Sequence, residues 1–155
     1  MSNVLINGIG QVAVGEHWER TLASLSTTAI RAALQDAGNP QPDIVYIGNL
    51  MASSISHQAN LGALICEAAG LQGVEGTTVE AGEASGAAAL HMGYLAVRAG
   101  LADCVLVVGV EKMTDMVGEQ VESYMALSGD YDFETMQGIT PAGMAGLLMQ
   151  RYLQQ

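Results

Sequence analysis

Residues 84–99 read ASGAAALHMGYLAVRA, a helix with small side chains at Ala84, Gly86, Ala87, Ala88, Ala89, Gly93 and Ala96. These positions take up most of the helix circumference. A helix that is apolar all round has no face suited to water and belongs in a buried layer. One sheet covers only one side of a helix, so the stretch predicts a second sheet packed over it. Leaving the far side bare would expose more apolar surface than soluble monomers usually tolerate, and covering it is comparable in value with a domain's net stability. The expectation is that the chain folds stably only with a second sheet-bearing half, from another polypeptide or from a copy of itself.

The rest of the pattern supplies the first sheet. Val4–Ile9 reads as a strand ending in Gly8 and Gly10. Thr21–Ala37 reads as a helix, with Leu22, Leu25, Ala29, Ala32 and Ala33 in helical register and a stop at Gly38 and Pro40. Asp43–Leu50 is a strand, His57–Ala69 a helix stopped by Gly70, and Thr77–Ala81 a short strand. After the helix that Gly100 ends, Cys104–Val110 (CVLVVGV) is an unbroken apolar run of the kind buried on both faces. The order βαβαβαβ defines an α/β fold with a parallel or mixed sheet and right-handed crossovers.

Thr114–Thr140 loses periodicity and becomes acidic, with glycine and methionine, as functional excursions and disordered segments do. Its acidic run from Glu119 to Glu134 reads as a solvated face. Thr140-Pro141 then resembles an N-cap with proline at the first helical position, opening a helix with Met144, Leu147, Leu148 and Tyr152 on one face. Residues 1–113 therefore read as one α/β unit, with 114–155 a separate segment.

Charge and cysteines narrow the function. With 16 acids against 5 Lys+Arg the net charge is −11, which repels nucleic-acid backbones and anionic lipid. Cys66 and Cys104 form no CxxC, which points to reduced core thiols and a cytoplasmic setting. No secretory leader is visible and no apolar run is long enough to span a bilayer. His17, His57 and His91 lack ligand spacing, so no metal site is expected, and His91 reads as a satisfied core or interface histidine. Gly8–Ala13 matches a loose GxGxxA dinucleotide fingerprint, but no helix opens at once behind it and no acid ends the second strand; a strand-terminating turn explains it better. A dinucleotide-binding domain is accordingly a distant alternative.

Two motifs carry chemistry. "VEAGEASGAAAL" is followed about twenty residues later by "VLVVGVEKMTD". Together Glu83-Ala84-Ser85-Gly86 and Gly109-Val110-Glu111-Lys112-Met113-Thr114 resemble the thiolase superfamily, especially its archaeal and sterol-carrier-like branches. The resemblance runs from Val4 to the last residue. It implies two similar halves in a layered αβαβα sandwich, of which this chain is the first half with part of the loop domain. The histidine turn and further acid/base residues of the second half have no counterparts here. The implied function is that of a subunit or fragment acting on acyl-CoA thioesters in carbon–carbon bond formation or cleavage, in lipid metabolism. Coenzyme A would be part of the substrate, no cofactor would be bound covalently, and a second thiolase-like half would be the partner. The strand Thr77–Ala81 would pair with its mate in an oligomer, and alone the chain would have no activity.

By that resemblance Glu83 stands where a cysteine nucleophile belongs, with Ala84, Ser85 and Gly86 supplying backbone near the site and Met113 and Met144 as acyl-pocket candidates. A helix N-terminus stabilises an anion at residue 83, but a carboxylate is a poor nucleophile toward a thioester. General-base or electrostatic work, as in aldolase-like or decarboxylase chemistry, is one role open to Glu83. A capping carboxylate in a non-catalytic scaffold is the other. Ser85, in a first helical turn and without nucleophile-elbow spacing, reads as a backbone hydrogen-bonder. The methionines suit gap-filling under a loop better than a pocket.

Overall fold

A computed structural model describes residues 3–155. The chain forms two compact units, one ending at Lys112 and the other spanning Met113–Gln155. In the first, helix α1 (Leu22–Asp36) leads to β1 (Ile44–Gly48), then to the short α2 (Ala52–Ile55) and α3 (Leu61–Ala69). β2 (Glu75–Val79), α4 (Ser85–Arg98) and β3 (Val105–Gly109) follow. The three strands are parallel in the order β2-β1-β3, with Gly48 level with both Val79 and Gly109.

β1 is buried at all five positions, as the central strand of a sheet covered on both faces must be. Its side chains alternate between two cores. Val45 and Ile47 meet Ile30 of α1, Leu61 and Ile65 of α3, and Leu106 and Val108 of β3. Ile44 and Tyr46 turn the other way, to Val79 and to Ala89 and Ala96 of α4. Helices thus lie on both faces of one parallel sheet.

Local signals explain the helix ends. Thr21 Oγ1 accepts from the Ser24 amide at 3.1 Å and caps α1. Gly70, with φ +75°, closes α3 in the left-handed conformation that glycine adopts without cost. The helix expected over His57–Ala69 starts only at Leu61, because His57 and Asn60 have φ of +50° and +55° and interrupt it. A separate short helix, α2, precedes them.

The strand expected at Val4–Ile9 does not form. A strand needs a neighbouring strand to take its backbone groups, and this segment lies along α1 instead. The Asn7 side chain donates to the Ala37 carbonyl at 3.1 Å, and the Ile9 amide donates to Asp36 Oδ2 at 2.9 Å. Gly8 and Gly10 permit this approach: a Cβ on Gly10 would stand 2.2 Å from the Ala29 carbonyl oxygen. That contact, and not a strand-to-helix phosphate turn, accounts for the glycine pair. Leu5, Ile6 and Ile9 remain at least 75% exposed.

α4 is covered on one side only. Ser85, Ala89, Gly93 and Ala96 are buried against the sheet, and Leu90, Tyr94 and Leu95 are about half exposed, at 51%, 46% and 49%. His91, expected in a core or interface, lies on the exposed side. A single sheet reaches only one face of a helix, so the rest of this apolar surface meets solvent here.

The second unit contains α5 (Gly118–Met125), two 3-10 turns at Ala126–Ser128 and Thr135–Gln137, and α6 (Pro141–Leu153). Helix α5, in a stretch without sequence periodicity, has no buried residue. Thr140 caps α6 by accepting from the Gly143 amide at 3.1 Å, with Pro141 in the first turn. No helix among the described residues is long and apolar enough to cross a membrane.

Candidate functional site

The carboxyl ends of β1, β2 and β3 lie at one edge of the sheet, where open α/β sheets gather ligands. The turn from β2 to α4 projects from this edge. Its shape comes from Ser85, which is buried. The Ser85 hydroxyl donates to the Gly82 carbonyl at 2.6 Å and accepts from the Ala81 amide at 2.9 Å. Gly82 has φ +58°, a conformation favouring glycine, and its amide donates to Glu80 Oε1 at 2.6 Å. Ser85 is thus the backbone hydrogen-bonder that its position suggests.

Glu83 sits at the tip of this turn, two residues before the first residue of α4, and is exposed. It is not inside a closed pocket within this chain. Of the backbone groups near it, the Ala84 and Ser85 amides already donate to the Ala81 and Gly82 carbonyls at 3.1 Å each. An incoming oxyanion would compete with those bonds; Gly86 is the second residue of α4. Met113 and Met144 belong to the second unit, Met113 exposed and Met144 half-buried.

A polar cluster that sequence reasoning missed lies at the same edge. Asn49, directly after β1 and 6% exposed, donates its backbone N–H to the Val79 carbonyl at the end of β2, at 3.1 Å. Its Nδ2 donates to the Val110 carbonyl at 2.7 Å and to Glu111 Oε1 at 3.0 Å. Its Oδ1 accepts from the Ala52 amide at 2.9 Å. The other Glu111 oxygen accepts from the Leu50 and Met51 amides, both at 3.0 Å. One carboxylate and one amide therefore tie together the ends of all three strands and the start of α2. Glu111 stood in the second motif, but nothing local in the sequence pairs it with a residue 62 positions earlier.

Elsewhere the site inventory is spare. Burial pushes the Cys66 thiol above its ordinary pKa; burial, then the Asp43 charge, does the same for Cys104. Neither is an activated nucleophile. No group of three or more potential metal ligands occurs among the described residues. A shallow cavity of about 390 Å³ is lined by Arg20, Arg31 and hydroxyls of α1, and by none of the residues of the Glu83 turn.

A parallel sheet of this order with helices on both faces is an open α/β sheet, and Glu83 stands at its β2–α4 turn. The fold is that of 3-oxoacyl-[acyl-carrier-protein] synthase III from Aquifex aeolicus VF5, with a TM-score of 0.59 at 22% identity over 64% of this chain and 32% of that one. Residues 7–151 match the family described as thiolase, N-terminal domain, and the chain belongs to that family. It is 40% identical over 155 residues to an acetyl-CoA acetyltransferase of Methanocaldococcus jannaschii, covering 99% of this chain and 39% of that protein. An acetyl-CoA acetyltransferase of Methanothermobacter thermautotrophicus is 35% identical, covering 99% of this chain and 40% of that protein. The chain thus spans about 40% of the length of these relatives.

Proposed function

We propose that this chain forms the nucleophile-bearing half of a thiolase-fold enzyme acting on acyl-CoA thioesters, with Glu83 in the place of the nucleophilic cysteine. Its similarity to acetyl-CoA acetyltransferases along 99% of its length supports the substrate class. The observation that carries the reading is the Ser85-braced turn, which holds a carboxylate beside the N-terminus of a 14-residue helix at the ligand edge of the sheet. There Glu83 is suited to act as a base. In a retro-aldol cleavage it takes the β-hydroxyl proton of a 3-hydroxyacyl thioester. The bond between C2 and C3 then breaks: C3 leaves as the carbonyl carbon of an aldehyde or ketone, the electron pair passes to the thioester as an enolate, and C2 takes a proton back from the Glu83 carboxyl to leave the shorter acyl thioester.

A second thiolase-like half is the partner in this reading. The exposed face of α4 and the open outer edge of β2 both support assembly. The deciding experiment is turnover of 3-hydroxyacyl-CoA by the chain together with its second half. Glu83→Ala is expected to abolish cleavage while leaving the complex intact. Glu83→Cys is expected to gain a covalent acyl group, read as a mass shift.

A non-catalytic scaffold is the second reading, favoured by the exposure of Glu83 in this chain. Unchanged turnover in the Glu83→Ala complex establishes it and sinks the first.

A further inference from the structure

Gly48 lies directly against the helix that the Glu83 turn opens, and Asn49 follows it in the chain. A Cβ on Gly48 would stand 2.7 Å from both the Gly86 Cα and the Ser85 carbonyl oxygen, so the end of β1 and the first turn of α4 touch backbone to backbone. Whatever fixes the end of β1 therefore also fixes where α4 begins.

Six hydrogen bonds that pass through Asn49 or Glu111 do so, beside the bond that the Val110 amide donates to the Gly48 carbonyl at 3.2 Å. The Asn49 amide holds the Val79 carbonyl, four residues before Glu83. The Asn49 side chain reaches Val110, Glu111 and Ala52, and Glu111 secures the Leu50 and Met51 amides from the opposite side. Asn49 is buried with its side-chain donor and acceptor both satisfied, which is the condition under which a buried polar group rigidifies its surroundings.

We infer that Asn49 and Glu111 are a positioning pair: they lock the end of β1 against α4 and so set the place of residue 83 relative to the helix N-terminus. This rests on residue 83 being the reacting position, and concerns residues that never touch substrate. It differs from a purely structural role in one respect. Loosening the pair changes the electrostatic environment of residue 83 in molecules that remain folded.

The test uses a thiol as the reporter. In the Glu83→Cys variant, alkylation by iodoacetamide is followed against pH, with peptide mapping to separate the introduced thiol from Cys66 and Cys104. A thiol at a helix N-terminus titrates below the ordinary value of about 8.5. Adding Asn49→Ala or Glu111→Gln is expected to move that titration back toward the ordinary value and slow alkylation near neutral pH by about tenfold. Buried Cys66 serves as the folding control and stays protected.

If Asn49→Ala uncovers Cys66, Glu111→Gln alone decides: it keeps an acceptor for the Leu50 and Met51 amides and sets an amide N–H against Asn49 Nδ2. A rise of the low titration with Cys66 still protected supports the pairing. A profile that ignores the change while Cys66 stays protected overturns it. An ordinary titration already in Glu83→Cys alone sinks residue 83 as the reacting position and takes the positioning role with it. Alkylation needs no acyl-CoA, so loss of turnover by itself bears only on the proposed function.

Discussion

The ligand edge of the sheet and the segment before α1 are built from similar material and end up very differently. Both contain glycines that allow backbone to meet backbone, at Gly48 and at Gly10. At the sheet edge, contact is reinforced by parallel pairing on both sides of β1 and by the Asn49–Glu111 bonds. Along residues 3–14, two side-chain hydrogen bonds to the end of α1 hold a segment in which Leu5, Ile6, Ile9 and Val14 face solvent. Extended backbone becomes a strand only beside another strand; an apolar sequence alone supplies the side chains and not the neighbour.

The sharpest way to break this comparison is to place the same methyl group in both regions. Gly48→Ala forces a Cβ into the backbone of α4 and is expected to cost about 3 kcal/mol, seen as a lowered urea midpoint. Gly10→Ala meets an equally close contact, yet its segment can lift off α1, so the loss is expected to stay below about 1 kcal/mol. Equal losses would show the two regions to be one cooperative unit.

Hydrogen-bonded carboxylates offer a gentler comparison. Glu111→Gln keeps the shape but removes the charge from three hydrogen bonds, with an expected cost of about 2 kcal/mol in the same denaturation assay. Asp36→Ala removes one exposed bond to Ile9. It is expected to cost about 0.5 kcal/mol and to be seen chiefly as lost hydrogen-exchange protection at the Ile9 amide.

The smallest effect comes from the thiols. Both are raised in the folded protein, so the unfolded chain gives up its thiol protons first as pH rises. Their contribution is therefore intact below the ordinary thiol value of about 8.5 and declines above it, by less than about 0.5 kcal/mol per thiol at pH 8.5. Cys66→Ser and Cys104→Ser should each flatten that decline in a pH series of thermal melts.

What could be read from the sequence follows the range of the forces involved. Thr21, Gly70 and Thr140 act on residues within one helical turn, and each ends or starts a helix where the sequence places it. Strands β1 and β3 announce themselves as apolar runs at Asp43–Leu50 and Cys104–Val110, but only β1 is buried throughout; β3, expected to be buried on both faces, alternates between half-buried and buried positions because it lies at the edge of the sheet. Val4–Ile9 has a strand's side chains but finds α1 where a strand would need a neighbour. Glu83 was visible through its motif and the helix behind it, whereas its exposure depends on what lies over α4. Asn49 was invisible: a lone asparagine after a strand has no periodicity, and its partner lies 62 residues away.

The central place of β1 also has a consequence for how the chain is made. β1 leaves the ribosome before either of its neighbours, and about 60 residues follow before β3 is complete. At the usual pace of synthesis that interval is on the order of 3–12 seconds. For all of it the most buried strand of the sheet has at least one open edge, and it can be satisfied only by sequence not yet translated. A pause placed between Val79 and Val105 lengthens that interval, so synonymous slow codons there should lower the soluble yield of a protein whose amino-acid sequence is unchanged.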